Sequence, residues 1–142
     1  MTITLKEVNE EDYSFLYELL SERDPNVSIS HRKMPTYEEH VQFVKSNPYS
    51  KWYIIYDDDK KNGSIYLTKQ NEIGIFIKKN MQGHGIGKKA MKLLMEKNPR
   101  ERYLANVNPK NTKSISFFKK NNFQLIQYTY ELTSSSLEKI EK

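Results

Sequence analysis

The most informative part of the sequence runs from Ile75 to Lys89 and reads IFIKKNMQGHGIGKK. A short apolar run, typical of a buried strand, leads into a glycine-rich loop, and the loop opens a helix that starts with lysines. Glycines let the backbone approach a ligand closely and turn several N–H groups the same way. The helix start adds about half a positive elementary charge, and Lys88 and Lys89 add cations. The pattern predicts a binding site for a phosphate or a pyrophosphate.

Two common phosphate-binding loops do not match this segment. A Walker A motif, G-x-x-x-x-G-K-[ST], would need glycine at position 82 and serine or threonine at position 89, where the chain has Gln82 and Lys89. A dinucleotide-binding motif, G-x-G-x-x-G, starting at Gly83 would need glycine in place of Lys88. A tight turn without any ligand is the alternative, but such a turn does not require three glycines next to two lysines.

Hydrophobic spacing on both sides of the loop predicts a mixed α/β domain. Strands are expected near residues 3–8, 52–56, 65–67, 72–77, 103–107 and 123–132. Helices are expected after Asn9, from Thr36 to before Pro48, over residues 85–97 and around residues 112–121. Thr36 and Glu39 form a capping box, and the dipeptide at 62–63, Asn-Gly, is a hairpin signal.

Length and composition limit the class of protein. The chain has 142 residues, so we expect one domain over residues 1–133 and a short C-terminal tail, helical or frayed, over 134–142. The mean hydropathy is −0.82, and neither a long apolar run nor a secretory signal is present, which predicts a cytoplasmic protein without membrane spans. The net charge of +5 suits an anionic ligand but is low for a dedicated nucleic-acid binder.

The sequence offers no candidate metal centre. It has no cysteine, which excludes disulfides, thiolate zinc sites and a cysteine nucleophile. The three histidines have no paired spacing, so no metal is expected. The acidic run at 57–59 lacks the glycine and glutamate of a calcium loop and is expected to be a turn.

Two stretches resemble motifs of the GNAT-type N-acetyltransferase superfamily. Residues 82–87, QGHGIG, are similar to its acyl-CoA loop, Q/R-x-x-G-x-G/A. Residues 108–111, NPKN, and 114–123, SISFFKKNNF, are similar to its N-x-x-[SA]-x-x-[FL]-Y-x-K-x-G-F signature. The resemblance covers roughly residues 2–132. It implies a mixed α+β fold with a central, mostly antiparallel, twisted sheet of about six to seven strands, splayed in the middle and flanked by about four helices.

The resemblance also implies acetyl-CoA as the co-substrate and direct attack by a primary amine, without an acyl-enzyme. The pantetheine arm is expected to pair with main chain around residues 76–78, with an N–H near Ile77 as the oxyanion donor, and the pyrophosphate is expected over residues 82–88. The implied cofactor contacts are Phe76, Ile77, Lys78, Gln82, Gly83, His84, Gly85, Ile86, Gly87, Lys88, Asn108, Asn111 and Phe118. For the two asparagines, a turn and a helix cap are the alternative.

Glu72 is the candidate general base. It alternates with Gly74 and Phe76, so these residues share one face of the strand while the isoleucines at 73, 75 and 77 occupy the other. The isoleucines are expected to lie under a helix, which leaves Glu72 facing the cleft. An exposed carboxylate at the strand end is the alternative.

The acceptor side and the general acid are less clearly marked. His31, Arg32 and His40 are candidate acceptor contacts, and either histidine is an alternative base. For His40, a partly buried position on its helix is the alternative, and for residues 31–33 a solvated loop. The tyrosine that the family uses as general acid falls on Phe118, which has no proton to give, so no acid is assigned.

The acceptor is expected to be a small-molecule amine. Residues 29–52 are loosely similar to enzymes that acetylate amino-sugar nucleotides, with other small amines, protein N-termini and lysines as alternatives. Because of Phe118, a non-catalytic acyl-CoA sensor of the same fold is a second hypothesis. Nucleic-acid and membrane partners are not expected, and the protein is expected to be a monomer or a homodimer.

Overall fold

The computed structural model describes residues 1–23 and 34–141, with side chains up to residue 137. The strands are β1 (Ile3–Glu7), β2 (Lys51–Asp57), β3 (Lys60–Leu67) and β4 (Ile73–Ile77). The helices are α1 (Tyr13–Ser21), α2 (Tyr37–Lys45), α3 (Ile86–Lys97), α4 (Thr112–Lys120) and α5 (Ser134–Glu141), and 3₁₀ turns lie at Glu10–Asp12 and Lys79–Met81. Within these residues, no helix has the length and apolar character needed to cross a membrane.

The four strands form one antiparallel sheet in chain order. β2 and β3 are joined by a turn at Asp58, which has a φ of 54°, and their register shifts between Ile55 and Tyr56. The Asn-Gly dipeptide at 62–63 lies within β3, next to the β-bulge that this register shift marks. The prediction of a hairpin turn at these two residues is therefore wrong, because the turn lies at Asp58. Beyond β4, a parallel bridge joins Glu72 to Leu104.

Both faces of the sheet bury apolar side chains. On one face, α3 packs over the main core, which comprises Leu5, Tyr53, Ile55, Ile65, Leu67, Ile73, Ile86, Ala90, Met91 and Leu94. On the other face, Leu16 of α1 and Val44 of α2 cover Ile54. The remaining isoleucines of β4, at 75 and 77, also pack against the α3 side, as the alternation along the strand predicts.

The mixed α+β fold with an antiparallel sheet is confirmed, but the expected six to seven strands are reduced to four. The strand expected at 103–107 is only the bridge at Leu104, because the chain soon turns at Asn108, whose Oδ1 accepts the Lys110 N–H. The strand expected at 123–132 has β-forming residues, yet no backbone hydrogen bond joins 124–132 to another described residue. Strand propensity does not substitute for an adjacent edge.

The helix starts are partly as predicted. Thr36 and Glu39 form the expected capping box, with the Thr36 N–H donating to Glu39 Oε1 (2.8 Å) and the Glu39 N–H donating to Thr36 Oγ1 (3.2 Å). Asn9 caps the 3₁₀ turn at Glu10–Asp12, and α1 itself begins at Tyr13. Residues from 134 onward, expected as a helical or frayed tail, begin α5.

Candidate active site

The open edge of β4 is the first element of the site. Ile73 donates its N–H away from β3, to Leu104 O (2.8 Å), whereas Lys78 donates its N–H towards β3, to the Asn62 carbonyl (2.9 Å). Successive residues of a strand point their main-chain groups to opposite sides, so those of Ile75 and Ile77 point away from β3. The segment after Leu104 diverges, and this part of the edge has no strand neighbour among the described residues.

This geometry refines the predicted cofactor contacts on β4. The N–H of Ile77 points into the open edge, as the oxyanion donor implied by the family resemblance would, and the Ile77 carbonyl accepts a bond from Gln82 Nε2 (3.1 Å). The main chain of Phe76 and the Lys78 N–H face β3, whereas the Lys78 carbonyl accepts the Met81 N–H (2.9 Å). The main-chain groups at the open edge are therefore those of Ile75 and Ile77, and the contact of any of these residues with a cofactor stays a prediction.

The glycine loop connects this edge to the start of α3. Gly83 and Gly85 have φ values of 84° and 77°, in the left-handed region that favours glycine. A Cβ added at either position would meet no described atom within 4 Å, so conformation rather than packing requires glycine there. Gly85 caps α3 without a side-chain hydrogen bond, which leaves the first N–H groups of the helix available to a ligand. His84 and Lys88 are exposed beside them, whereas Ile86 is buried in the core.

Gly87 brings the start of α3 close to α4. A Cβ at this position would lie 3.3 Å from the ring of Phe117, so this glycine has a packing role in addition to the one predicted at the loop. Phe117 also lines an open depression on α4 of about 450 Å³, together with Thr112, Lys113, Ser116 and Lys120. Two ammonium groups, two hydroxyls and an aromatic ring suit the phosphates and base of a nucleotide.

Asn108 and Asn111 form the turn and the helix cap that were their alternative role. Asn108 is buried, and its Oδ1 accepts the Lys110 N–H (2.9 Å). Asn111 caps α4 by accepting the Ser114 N–H (3.1 Å). The two side chains therefore shape the approach to α4, and their contact with a cofactor stays a prediction.

The sheet face opposite α3 comprises, at this edge, Tyr66 of β3 and Gly74 and Phe76 of β4, and it is called the acceptor face here after the role proposed for it below. Tyr66 crosses over Gly74, where any Cβ would collide with its phenol. The Tyr66 ring stacks on Tyr49 with centroids 3.8 Å apart, and it lies 6.3 Å from the ring of Phe76. The guanidinium of Arg23, just after α1, lies 4.6 Å from the Phe76 centroid. Burial raises the pKa of both tyrosines, so both phenols are protonated at neutral pH.

Glu72 lies at the start of the acceptor face, and its carboxylate is hydrogen-bonded to two segments, one before β4 and one after α3. Its Oε1 accepts a bond from Thr68 Oγ1 (3.0 Å), and its Oε2 accepts one from Asn106 Nδ2. Each oxygen retains a further lone pair, and the negative charge lies close enough to Tyr66 to act on its pKa. Glu72 is thus held where the neighbouring segment diverges from β4, and its role as a base stays a prediction.

His40 lies in the contact between α1 and α2. It is 6% exposed, its ring is next to those of Tyr17 and Phe43, and its Nδ1 has no hydrogen-bond partner among the described residues. Burial lowers its pKa, so the ring is neutral at pH 7. It can reach an acceptor only if this contact opens. His31 and Arg32 lie outside the described residues.

Phe118 lies in apolar surroundings. Its ring is 5.2 Å from that of Phe117 and 5.0 Å from that of Phe123, and neither can donate a proton. Elsewhere in the described ranges, no group of three or more His, Asp and Glu side chains could hold a metal ion.

Comparison with known proteins places the chain in a family. The model of the acetyltransferase (GNAT) family matches residues 13–123. The chain belongs to this family. A curated relative, the peptidyl-lysine N-acetyltransferase YjaB of Salmonella typhimurium, is 31% identical over 74 residues, which cover 52% of this chain and 50% of the relative. The match thus spans about half the length of that relative. The predicted membership of the GNAT family is confirmed.

Solved structures share the fold of this chain. A domain from Methanocaldococcus jannaschii has a TM-score of 0.79 and 21% identity, over 92% of this chain and 93% of that one. RimL, a ribosomal L7/L12 α-N-protein acetyltransferase in complex with coenzyme A, has a TM-score of 0.73 and 20% identity, over 89% of this chain and 82% of that one. At these identities the likeness establishes the fold alone.

Sequence reasoning missed several residues of this candidate site. Tyr66 and Gly74 meet across two strands, which requires the register and is not visible in either strand alone. Asn106 was expected only as part of a strand. Lys113 and Lys120 lie seven residues apart on one face of α4, with Ser116 between them, and this helical spacing could have indicated them.

Proposed function

We propose that this GNAT protein transfers the acetyl group of acetyl-CoA to a primary amine in a ternary complex. The observation that supports this most directly is an open strand edge next to an uncapped helix start. Ile75 and Ile77 offer main-chain groups to the amides of a pantetheine arm, and the loop from Gly83 to Gly85 offers N–H groups to a pyrophosphate. The depression on α4 adds lysines for further phosphate, and the RimL structure contains coenzyme A.

In the proposed reaction the amine nitrogen bonds to the thioester carbonyl carbon, the C–S bond breaks, and the sulfur leaves as a thiolate. The Ile77 N–H would stabilise the oxyanion that forms during the attack. Glu72 would take the proton that the amine loses, directly or through a water molecule. The thiolate would take its proton from water, because Phe118 and the two rings beside it donate none.

We infer that the acceptor amine reaches the thioester over the acceptor face. The carboxylate of Glu72 and the rings of Tyr66 and Phe76 would attract an ammonium group on its way to the site. An amino-sugar nucleotide or another small amine in the cytoplasm is the acceptor that we propose first. A peptide lysine is the second, because YjaB is named for that acceptor.

Thiol release from acetyl-CoA tests this function. The panel should include nucleotide-linked amino sugars, free amino sugars, polyamines, and peptides that offer either a free N-terminus or an internal lysine. Thiol release matched by an equal amount of acetylated amine would support the proposal and identify the class. Tight acetyl-CoA binding without release on any amine would contradict it.

A non-catalytic acyl-CoA sensor is the second candidate function, and Phe118 favours it. The variant Phe118→Tyr restores the proton donor of the family motif at that position. If the protein is an enzyme, the variant is expected to raise kcat by about tenfold or more without a change in the Kd for acetyl-CoA. A sensor would bind acetyl-CoA in both forms and turn over in neither.

A further inference from the structure

A positive charge lies over the acceptor face, at the end away from Glu72. The guanidinium of Arg23 is 4.6 Å from the centroid of the Phe76 ring, within the distance at which a cation is attracted to an aromatic face. Arg23 is half-buried and follows α1 directly. The amine of the proposed reaction is attracted by Glu72, so a cation on the same face indicates a second, negatively charged group on the acceptor.

The backbone contacts around Arg23 hold it beside Phe76. Its N–H donates to the Leu20 carbonyl (3.2 Å) and closes the last turn of α1. One residue earlier, the Glu22 carboxylate accepts the Lys79 N–H (2.9 Å). This bond ties the end of α1 to the turn that follows β4. Arg23 therefore projects onto the acceptor face from a position that two elements of the fold define.

Tyr66 lies between Arg23 and Glu72. Burial has the largest effect on the pKa of its phenol and raises it, and of the two charges Arg23 lowers this pKa and Glu72 raises it. Glu72 and Phe76 are four residues apart along an extended chain, which places their Cα atoms about 13 Å apart. The acceptor face thus has an anion at one end, a cation at the other, and aromatic rings between them.

We propose that Arg23 binds an anionic group of the acceptor, a carboxylate or a phosphate, while the acceptor's amine lies near Glu72. A guanidinium holds either anion through two parallel hydrogen bonds, and its five N–H donors permit this beside its other contacts. With a hydrogen bond of about 2.8 Å at each end, the face leaves roughly 7 Å between the amine nitrogen and the anion.

This inference rests on the proposed function and narrows its acceptor. The acceptor is an amine with an acidic group several bonds away, so polyamines, which carry no anion, do not meet the requirement. An amino acid that offers only its α-amine does not meet it either, because its amine and carboxylate are attached to the same carbon. Arg23 is then a specificity-determining residue that touches the acceptor and not the cofactor.

Calorimetric titration at saturating coenzyme A measures this selectivity without acetyl transfer. Two matched pairs of probes differ only in the group far from the amine. They are 5-aminopentanoate against 5-aminopentanol, and 4-aminobutyl phosphate against 4-aminobutanol. At least one acidic probe should bind about tenfold or more tightly than its neutral match. The pair with the larger difference identifies the anion as a carboxylate or a phosphate.

The variant Arg23→Met tests the residue, and Lys6→Met is the matched control. Lys6 is also a cation next to an aromatic ring, 4.7 Å from the centroid of Tyr56, at the opposite edge of the sheet. Arg23→Met should abolish the preference for the acidic probe and leave the Kd for acetyl-CoA unchanged, whereas Lys6→Met should retain the preference. Arg23→Lys keeps the charge without the planar fork and should retain part of it. Far-UV circular dichroism confirms that the variants are folded.

Steady-state kinetics separates this inference from the proposed function. Arg23→Met should raise KM for an acidic amine by about tenfold or more with little change in kcat. Failure of acetyl transfer together with an Arg23-dependent preference in binding would contradict the proposed function alone. Equal kcat/KM for acidic and neutral amines in the wild type would contradict the role of Arg23 alone.

Four results of the titrations would overturn the role of Arg23. Equal affinity for acidic and neutral probes, or no measurable binding of either acidic probe at millimolar concentration, would show that the face does not recognise an anion. A preference that survives Arg23→Met would place the anion elsewhere. An equal loss in Lys6→Met would reveal a general effect of net charge. A weaker Kd for acetyl-CoA in Arg23→Met would assign the guanidinium to the cofactor.

Discussion

Replacing Gly74 by alanine tests the geometry of the acceptor face. Gly74 has an ordinary backbone conformation, so alanine is excluded only by what its Cβ would meet, which is the phenol of Tyr66. The Tyr66 ring cannot move aside freely, because it stacks on Tyr49 at 3.8 Å with an interplanar angle of 2° and touches Trp52 edge-on. One added methyl group must therefore displace a packed aromatic ring.

The magnitude follows from two opposing effects. Overpacking of this kind costs about 1–3 kcal/mol, and exchanging glycine for alanine in a strand returns about 0.5–1 kcal/mol through the unfolded state. With mid-range values of about 2 and about 0.75 kcal/mol, the free energy of unfolding should fall by about 1.25 kcal/mol, which lowers Tm by roughly 2.5–5 °C in a chain of this length.

Urea denaturation of a double-mutant cycle provides the measurement. In a Tyr66→Ala background the colliding atoms are gone, so Gly74→Ala should be neutral or slightly stabilising there. The expected coupling between the two positions is about 1–3 kcal/mol. Equal losses in both backgrounds, or no loss in the wild type, would show that Tyr66 does not lie across Gly74 and would refute this description of the acceptor face.

Three further predictions concern the proposed base, the glycine loop and the buried His40. Glu72→Gln should lower kcat/KM by at least about tenfold with an unchanged Kd for acetyl-CoA, and a loss below about threefold would exclude Glu72 as the base. Gly85→Ala should weaken acetyl-CoA binding while costing about 1–2 kcal/mol of stability, whereas Asp58→Ala, also at a positive φ, should affect stability alone. Because burial lowers the pKa of His40 in the folded chain, the unfolded chain binds a proton at this ring more readily. The stability contributed by neutral His40 is therefore present above about pH 6.5 and is lost as the pH falls. His40→Phe should therefore flatten the decline in Tm between about pH 7 and 5, and an unchanged decline would assign it to other groups.

The sequence predicts the elements whose residues are close together in the chain. The capping box of Thr36 and Glu39 is local chemistry, and the two faces of β4 follow from the alternation of Ile73, Gly74 and Ile75 alone. The family motif at 82–87 is made of consecutive residues, so the loop can be predicted without a structure.

The rest of the site depends on contacts between distant residues. The close approach of Tyr66 to Gly74 depends on the register of β3 and β4. The hydrogen bond from Asn106 to Glu72 depends on the parallel bridge between Glu72 and Leu104. Neither arrangement can be predicted from one segment of the sequence. Residues 124–132 also show that local sequence alone does not determine the structure. Their alternation predicts a strand, but a strand also needs a neighbouring strand to pair with, and no described strand pairs with these residues.

Thermal denaturation with acetyl-CoA, ATP and NADP tests the central claim, that the open edge of β4 and the loop before α3 bind an acyl-CoA. A ligand at 100 times its Kd stabilises the folded protein by about 2.7 kcal/mol, which is roughly 5–11 °C in Tm for a chain of this length. We expect a shift of that size with acetyl-CoA and coenzyme A, and little or none with ATP or NADP at equal concentration. An equal shift with ATP, or none with either CoA species at millimolar concentration, would contradict the claim.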